Sequence, residues 1–223
     1  TLQVNKTIAG RYVVNATLNG DALFADISVF ANYYVVKQFV PMTIDDIGVV
    51  YVGDAVEINV NMPSYITSGS VTLEVDGQSV TKSVTGGVVT FSVSGLSAGN
   101  KTVVAWYVGN DSYTSNSTSR TFAVYKKPSH IDITTQGSIT GNATINVTVT
   151  PGATGHVVVS VNGTNYTINL TADQDRINLT GLAPGDYDVT VTYLGDDNFN
   201  SSTNSDRFTI ESKNNTKLEI DIS

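Results

Sequence analysis

Gly181-Leu182-Ala183-Pro184-Gly185-Asp186-Tyr187-Asp188-Val189-Thr190-Val191-Thr192-Tyr193-Leu194-Gly195-Asp196-Asp197 reads as a turn, a strand and a second turn. Val189, Val191 and Tyr193 alternate with Thr190 and Thr192. A period of two sends one face of a strand into a core and the other into water. The same stretch occurs 86 residues earlier. Gly95-Leu96-Ser97-Ala98-Gly99 falls on Gly181 to Gly185, and Tyr107-Val108-Gly109-Asn110-Asp111 falls on Tyr193 to Asp197. Upstream, Gly69, Val71, Leu73, Val75 and Gly77 fall on Gly155, Val157, Val159, Val161 and Gly163. Downstream, Phe122 falls on Phe208.

A third, partial copy opens the chain. Gly10-Arg11-Tyr12 matches Gly185-Asp186-Tyr187, Gly20-Asp21 matches Gly195-Asp196, and Phe24 matches Phe199. Leu218-Glu219-Ile220-Asp221-Ile222 resembles Ser129-His130-Ile131-Asp132-Ile133, where a repeat starts. The chain therefore reads as a C-terminal half repeat (1–39), two whole repeats (41–126 and 128–211), and a linker with the first strand of a further repeat (212–223). Turn signals such as Asp76-Gly77, Asn162-Gly163 and Gly195-Asp196 recur every ~8–12 residues, and no stretch holds a helical period. Seven short strands in a repeat is the pattern of an Ig-like sandwich. The alternation places strands near 42–46, 54–62, 69–76, 78–84, 88–94, 101–108 and 117–125. In the next repeat they fall near 130–135, 142–150, 156–162, 164–170, 175–180, 186–194 and 204–211, and in the half repeat near 1–5, 11–18 and 28–37. Gly-x-Tyr before a strand, at Tyr12 and Tyr187, predicts a tyrosine corner. The middle repeat has Lys101 there. Its parity with Val103 and Ala105 points it inward, where a lysine needs an acid partner or snorkels to the edge. Short Pro-containing linkers suit an all-β fold of tandem Ig-like sandwiches arranged as a rod.

Composition removes several function classes. Of 223 residues only 14% are charged, with 12 Lys+Arg against 20 Asp+Glu and a net charge of −8. So few scattered positive charges argue against nucleic acid as a partner. The absence of cysteine excludes disulfides, Cys-ligated zinc and thiolate chemistry. No apolar run approaches the ~20 residues of a membrane span. The chain starts at Thr1 with no secretory leader pattern, as expected of a processed chain or a piece of a longer one.

The order Gly-x-Val-x-Leu-x-Val-x-Gly (Gly69 to Gly77), then Gly-Leu-x-x-Gly, then Tyr-x-Gly-x-Asp-x-Tyr/Phe resembles the tandem Ig-like repeats of prokaryotic surface adhesins. The Asn- and Thr-rich, cysteine-free composition is most similar to adhesin-like proteins of methanogenic archaea. The resemblance covers essentially the whole chain and brings no catalytic residues. It implies an extracellular stalk module that holds a binding tip away from the cell and partners neighbouring Ig-like repeats of the same or another chain. A filament or cell-envelope subunit polymerising end to end is a variant, and a glycan-binding domain recognising a cell-surface glycan or protein is the competing class.

Residue by residue, little chemistry converges. His130 and His156 have no metal-ligand spacing, and Glu57, Glu74, Glu211 and Glu219 are scattered. No cofactor and no catalytic group is expected. Acidic pairs occur at Asp45-Asp46, Asp173 with Asp175, Asp186 with Asp188, and Asp196-Asp197. Asp196 and Asp197, followed by Asn198, are the calcium candidates, set against the ordinary use of Asp in turns. Some sandwich domains of this kind carry Lys–Asn cross-links. The last whole repeat has no lysine between Pro128 and Glu211, so it cannot form one internally.

The strongest positive signal is Asn-x-Ser/Thr. It begins at Asn5, Asn15, Asn100, Asn110, Asn116, Asn142, Asn146, Asn162, Asn165, Asn169, Asn178, Asn200 and Asn214, thirteen of twenty asparagines. With 50 Ser and Thr residues, chance gives four or five. Asn and Thr at i and i+2 on an outward strand face also make such sequons automatically. Glycan attachment needs surface Asn in an exported protein, which this pattern fits. Finally, if Val103, Ala105 and Tyr107 face inward, Val104, Trp106 and Val108 face out. Trp106 is then a contact candidate. The half repeat lacks the strands that cover its inward face, so it is expected to be ordered only where further protein covers it.

Overall fold

A computed structural model of the protein describes residues 3–213, all of it strand, turn and loop. Among these residues no helix is long and apolar enough to cross a membrane, which leaves strand-built spans unaddressed. The described residues divide into two compact units, one of residues 3–50 and 54–124, the other of residues 51–53 and 125–213.

In the first unit, a hairpin of β1 (Gly10–Leu18) and β2 (Ile27–Val35) precedes a sandwich. One sandwich sheet holds β3 (Thr43–Ile44), β5 (Val56–Asn61) and β8 (Val88–Val93), in the order β3-β5-β8. The facing sheet runs β4-β10-β9-β6-β7 and uses β4 (Val50–Tyr51), β6 (Ser70–Val75), β7 (Gln78–Ser83), β9 (Gly99–Tyr107) and β10 (Asn116–Tyr125). Inward residues of both sheets, among them Ile58, Phe91, Val71, Leu73, Val103 and Tyr107, are buried, and no polar or charged residue joins them. β-branched and aromatic side chains suit a pleated, half-buried surface, which is why these segments are strands.

The second unit repeats the plan. A sheet of β11 (Ile131–Gly137), β12 (Ala143–Val149) and β15 (Gln174–Leu179) faces a sheet ordered β14-β13-β16-β17. The latter comprises β13 (His156–Val161), β14 (Thr164–Asn169), β16 (Gly185–Tyr193) and β17 (Ser202–Ile210). Val157, Val159, Val189, Val191 and Ile145 are fully buried, while Thr190 is exposed and Thr192 half-buried. The register is the expected one, since a slip by one residue would exchange the faces. In both sandwiches a two-residue turn joins a hairpin: Asp76-Gly77 (φ 50 and 76) and Asn162-Gly163 (φ 45 and 85). Two successive positive φ values make type I′ turns, whose twist matches the flanking strands. Where β11 passes β17, a Cβ on Gly137 would lie 2.3 Å from the Thr209 carbonyl oxygen, so only glycine permits the approach.

Two expectations need correction. Residues 3–7 form no strand, so the half repeat contributes only β1 and β2. The first strand of the middle repeat is split. β3 pairs with β5, and β4 crosses to β10 in the opposite sheet. A two-residue strand is too short to leave a periodic signature. The hairpin, expected to be ordered only where further protein covers it, forms with its inward face open: Phe24, Ile27 and Val29 are largely exposed, and Tyr12, Val14 and Tyr33 are half-buried. Asn214 and the strand expected near 217–222 lie outside the described residues.

Candidate functional site

The feature that recurs in all three copies is the loop after the long strand, Gly-Asp/Asn-x-x-Phe/Tyr. The Oδ1 atom of Asp21, Asn110 or Asp196 accepts hydrogen bonds from the backbone N–H groups two and three residues on. The distances are 2.8 and 3.2 Å from Leu23 and Phe24, 2.9 and 3.0 Å from Ser112 and Tyr113, and 2.8 Å from both Asn198 and Phe199. This is the Asx turn, in which a short polar side chain mimics a backbone turn. The preceding glycine is obligatory. A Cβ on Gly20, Gly109 or Gly195 would come 1.9, 2.9 or 2.8 Å from the carbonyl oxygen of Phe24, Tyr113 or Phe199. Asp196-Asp197, the calcium candidate of the sequence, is not kept as an acidic pair in its companions, which read Asn110-Asp111 and Asp21-Ala22. What the copies share is its first residue, in a turn that accepts Asp or Asn.

The loop also holds the linker that enters its sandwich. Gln38 forms a parallel bridge with Tyr113: its N–H donates to Ser112 O, and its carbonyl accepts from Thr114 N–H, both at 2.9 Å. In the second unit Lys127 bridges Phe199 in the same way, donating to Asn198 O at 2.8 Å and accepting from Asn200 N–H at 2.9 Å. Lys126 Nζ donates to the Asp196 carbonyl. In the hairpin copy the turn is present, yet Leu23 and Phe24 are 87% and 72% exposed.

The loops differ in their second tie. Asp196 Oδ2 accepts from Thr154 N–H and Oγ1–H at 2.9 and 2.8 Å. Partial burial disfavours its ionised form, but the donors on Thr154, Asn198 and Phe199 outweigh that and hold the carboxyl well below the usual range. Asn110 instead donates through Nδ2 to Ser68 Oγ and Tyr107 OH, both at 3.1 Å, and Tyr107 donates to Ser68 O at 3.0 Å. The equivalent Tyr193 hydroxyl is buried near Asp196 and Thr154 without a hydrogen bond of ordinary geometry to either. Burial first, then the neighbouring Asp196 carboxylate, push it up to about 12. Asp197 is exposed. Among the described residues no three His, Asp or Glu side chains gather as a metal site.

The acids of the other sequence pairs have structural partners, Asp175 accepting from Arg176 N–H at 2.7 Å. Asp46 pairs with Arg120, Asp45 accepts from Asn61, Asp173 accepts from Gly152 N–H, Asp186 accepts from Thr209, and Asp188 pairs with Arg207 at 2.7 Å. Tyrosine corners form where expected, Tyr12 OH donating to Ile8 O at 2.8 Å and Tyr187 OH to Ala183 O at 3.0 Å. Lys101 fills the same place with an ion pair, its Nζ 2.8 Å from Asp76 and 2.6 Å from Ser97 Oγ. Its side chain is only 10% exposed, so it is turned in and paired with an acid. His130 lies exposed beside Asp132 at 3.2 Å. Trp106 is half-buried on the outward face of β9, opposite Thr72 and Ser117.

The sequons separate into two groups. The amide nitrogens of Asn116, Asn142, Asn146, Asn162 and Asn200 are committed as donors, as are both amide hydrogens of Asn110. Asn5, Asn15, Asn100, Asn165, Asn169 and Asn178 are exposed, and their amide nitrogens donate to none of the described residues.

No family model matches the chain, and no curated protein matches it. Among solved structures it is similar to fibronectin(III)-like modules of Clostridium thermocellum CbhA. That match has 14% identity and a TM-score of 0.34, over 80% of this chain and all of that one. It is also similar to the BSP domain of a biofilm-associated protein at 19% identity and a TM-score of 0.25, over 78% of this chain. The matched part spans 30% of the latter chain. The all-β sandwich fold is carried by the sheets described above.

Proposed function

We propose that this chain is a structural and adhesive segment of a long extracellular surface protein, whose Ig-like repeats hold a separate binding tip away from the cell. The observation that supports this best is the clamped linker. Gln38 and Lys127 each enter the following sandwich through paired backbone hydrogen bonds to a loop fixed by an Asx turn. A spacer benefits from such ties, because they fix where each linker enters its own sandwich and shorten the stretch of free chain. No group of acids, bases or nucleophiles in this reading performs a reaction.

The open face of the hairpin supports a partner of the same kind. β1 and β2 carry the tyrosine corner and the Asx loop of β16 and β17, and the remaining strands of an Ig-like repeat, from this chain or another, would cover them. Burying each large apolar side chain fully is worth roughly 1.5–3 kcal/mol, so several such terms favour that cover.

The test replaces residues 41–211 in the full-length surface protein with a flexible Gly/Ser segment. The expected result is unchanged binding by the isolated tip and reduced attachment of whole cells. Saturable binding of the 1–223 protein itself on a glycan array would instead establish the glycan-binding class.

A further inference from the structure

β14 is the free edge of its sheet, and an unpaired edge invites pairing with another chain. Proteins commonly blunt such edges with charge, proline or a bulge. β14, Thr164-Asn165-Tyr166-Thr167-Ile168-Asn169, has no charged residue and no proline, and it pairs with β13 residue for residue without a bulge. The corresponding edge of the first unit, β7, carries Lys82. Something else must protect β14. Its inward residues Tyr166 and Ile168 pack on the core, which turns Asn165, Thr167 and Asn169 outward, and all three are exposed. Asn165-Tyr166-Thr167 and Asn169-Leu170-Thr171 are both sequons.

We propose that the folded protein carries N-linked glycans at Asn165 and Asn169, and that these cover the open edge of the second sandwich. The inference rests on the extracellular reading. In the transfer, the Asn Nδ2 attacks the anomeric carbon of a lipid-linked glycosyl phosphate or diphosphate. A C–N bond forms, the anomeric C–O bond breaks, the lipid phosphate leaves with the electron pair, and one amide proton is lost. The glycosylated amide keeps a single N–H. Asn165 and Asn169 can give up a hydrogen, because neither makes a side-chain hydrogen bond to the described residues. Asn110 cannot, because both its amide hydrogens are used, on Ser68 and Tyr107. Asn116 is half-buried and donates at 2.7 Å to the carbonyl of Val40, a residue with no exposed surface. A glycan on Asn110 would break one of its two bonds, and one on Asn116 would have to fit beside a half-buried amide held against the Val40 carbonyl, so the folded protein leaves both bare.

Glycopeptide mass spectrometry of the protein taken from the surface of its native cells tests the assignment. Glycans at Asn165 and Asn169 with Asn110 and Asn116 unmodified are expected. Glycans elsewhere with β14 bare, or an occupied Asn110 or Asn116, overturn it while leaving the extracellular reading intact. A chain bare at all thirteen sequons overturns it and counts against that reading as well. In the same cells, the double variant Asn165→Gln, Asn169→Gln should keep its circular dichroism spectrum and self-associate at least several-fold more by sedimentation. Unchanged association of the folded variant refutes the role of the glycans as an edge cover.

Discussion

Asp196→Ala removes one side chain from the joint of the second unit, and the structure sets the cost. Two bonds are lost from the backbone N–H groups of Asn198 and Phe199, and two more from Thr154 N–H and Oγ1–H. Loss of a capping side chain costs typically ~1 kcal/mol, and a hydrogen bond to a charged group contributes ~1.5–3 kcal/mol. Water reaches this loop and recovers part of that, so the expected loss is about 2–4 kcal/mol. With a urea dependence of ~1 kcal/mol per M for a small sandwich, the midpoint should fall by about 2–4 M. Trp106, the single tryptophan, lies in the first unit and supplies an internal control. Its fluorescence transition should stay in place while circular dichroism shows the second unit melting early. A midpoint change under about 0.5 M, or an equal shift of both signals, would refute the reasoning.

Acid should act through the same residue. The folded-state carboxyl of Asp196 is depressed, so its contribution is present above the unfolded value near 4 and is lost as pH falls below it. Asp196→Asn should flatten the decline in second-unit stability below about pH 4 in urea titrations, and an undiminished decline would contradict this. At the alkaline end, the raised Tyr193 keeps its proton in the fold while the unfolded chain ionises near 10, so stability falls as pH rises from there to about 12. Tyr193→Phe should remove that loss, and an undiminished alkaline decline in the variant would contradict this. Lys101→Tyr should restore a tyrosine corner and hold the urea midpoint of the first unit, whereas Lys101→Ala should lower it, because it removes the ion pair with Asp76 and puts no corner in its place.

Much of this architecture was legible because its signals are local. Val157, Val159, Val189 and Val191 are buried as the alternation of the sequence requires, and Gly-x-Tyr at Tyr12 and Tyr187 does form tyrosine corners. Asp76-Gly77 and Asn162-Gly163 are turns because few other pairs accept two positive φ values. The crossing of β4 to β10 was not legible, since two residues carry no period. The clamp of Gln38 on Tyr113 was also hidden, because it is made by backbone atoms 75 positions apart. Gly109 and Gly195 carried a signal for the loop, but its meaning depends on how close the Tyr113 and Phe199 carbonyls come, which is a three-dimensional fact. The partner of Lys101 could have been found from the Asp76-Gly77 turn, had the type I′ geometry been followed to where it sends the Asp76 side chain.

The proposal that the chain is a spacer built of successive Ig-like sandwiches is tested most directly by pulling a single molecule from its ends. Each sandwich of about 85 residues at ~3.5 Å per residue should release about 250 Å of chain when it gives way, after allowing for its folded length. The account predicts two separate unfolding events of nearly equal length, with Asp196→Ala lowering the force of only one. A single event, or a smooth extension without peaks, would contradict it.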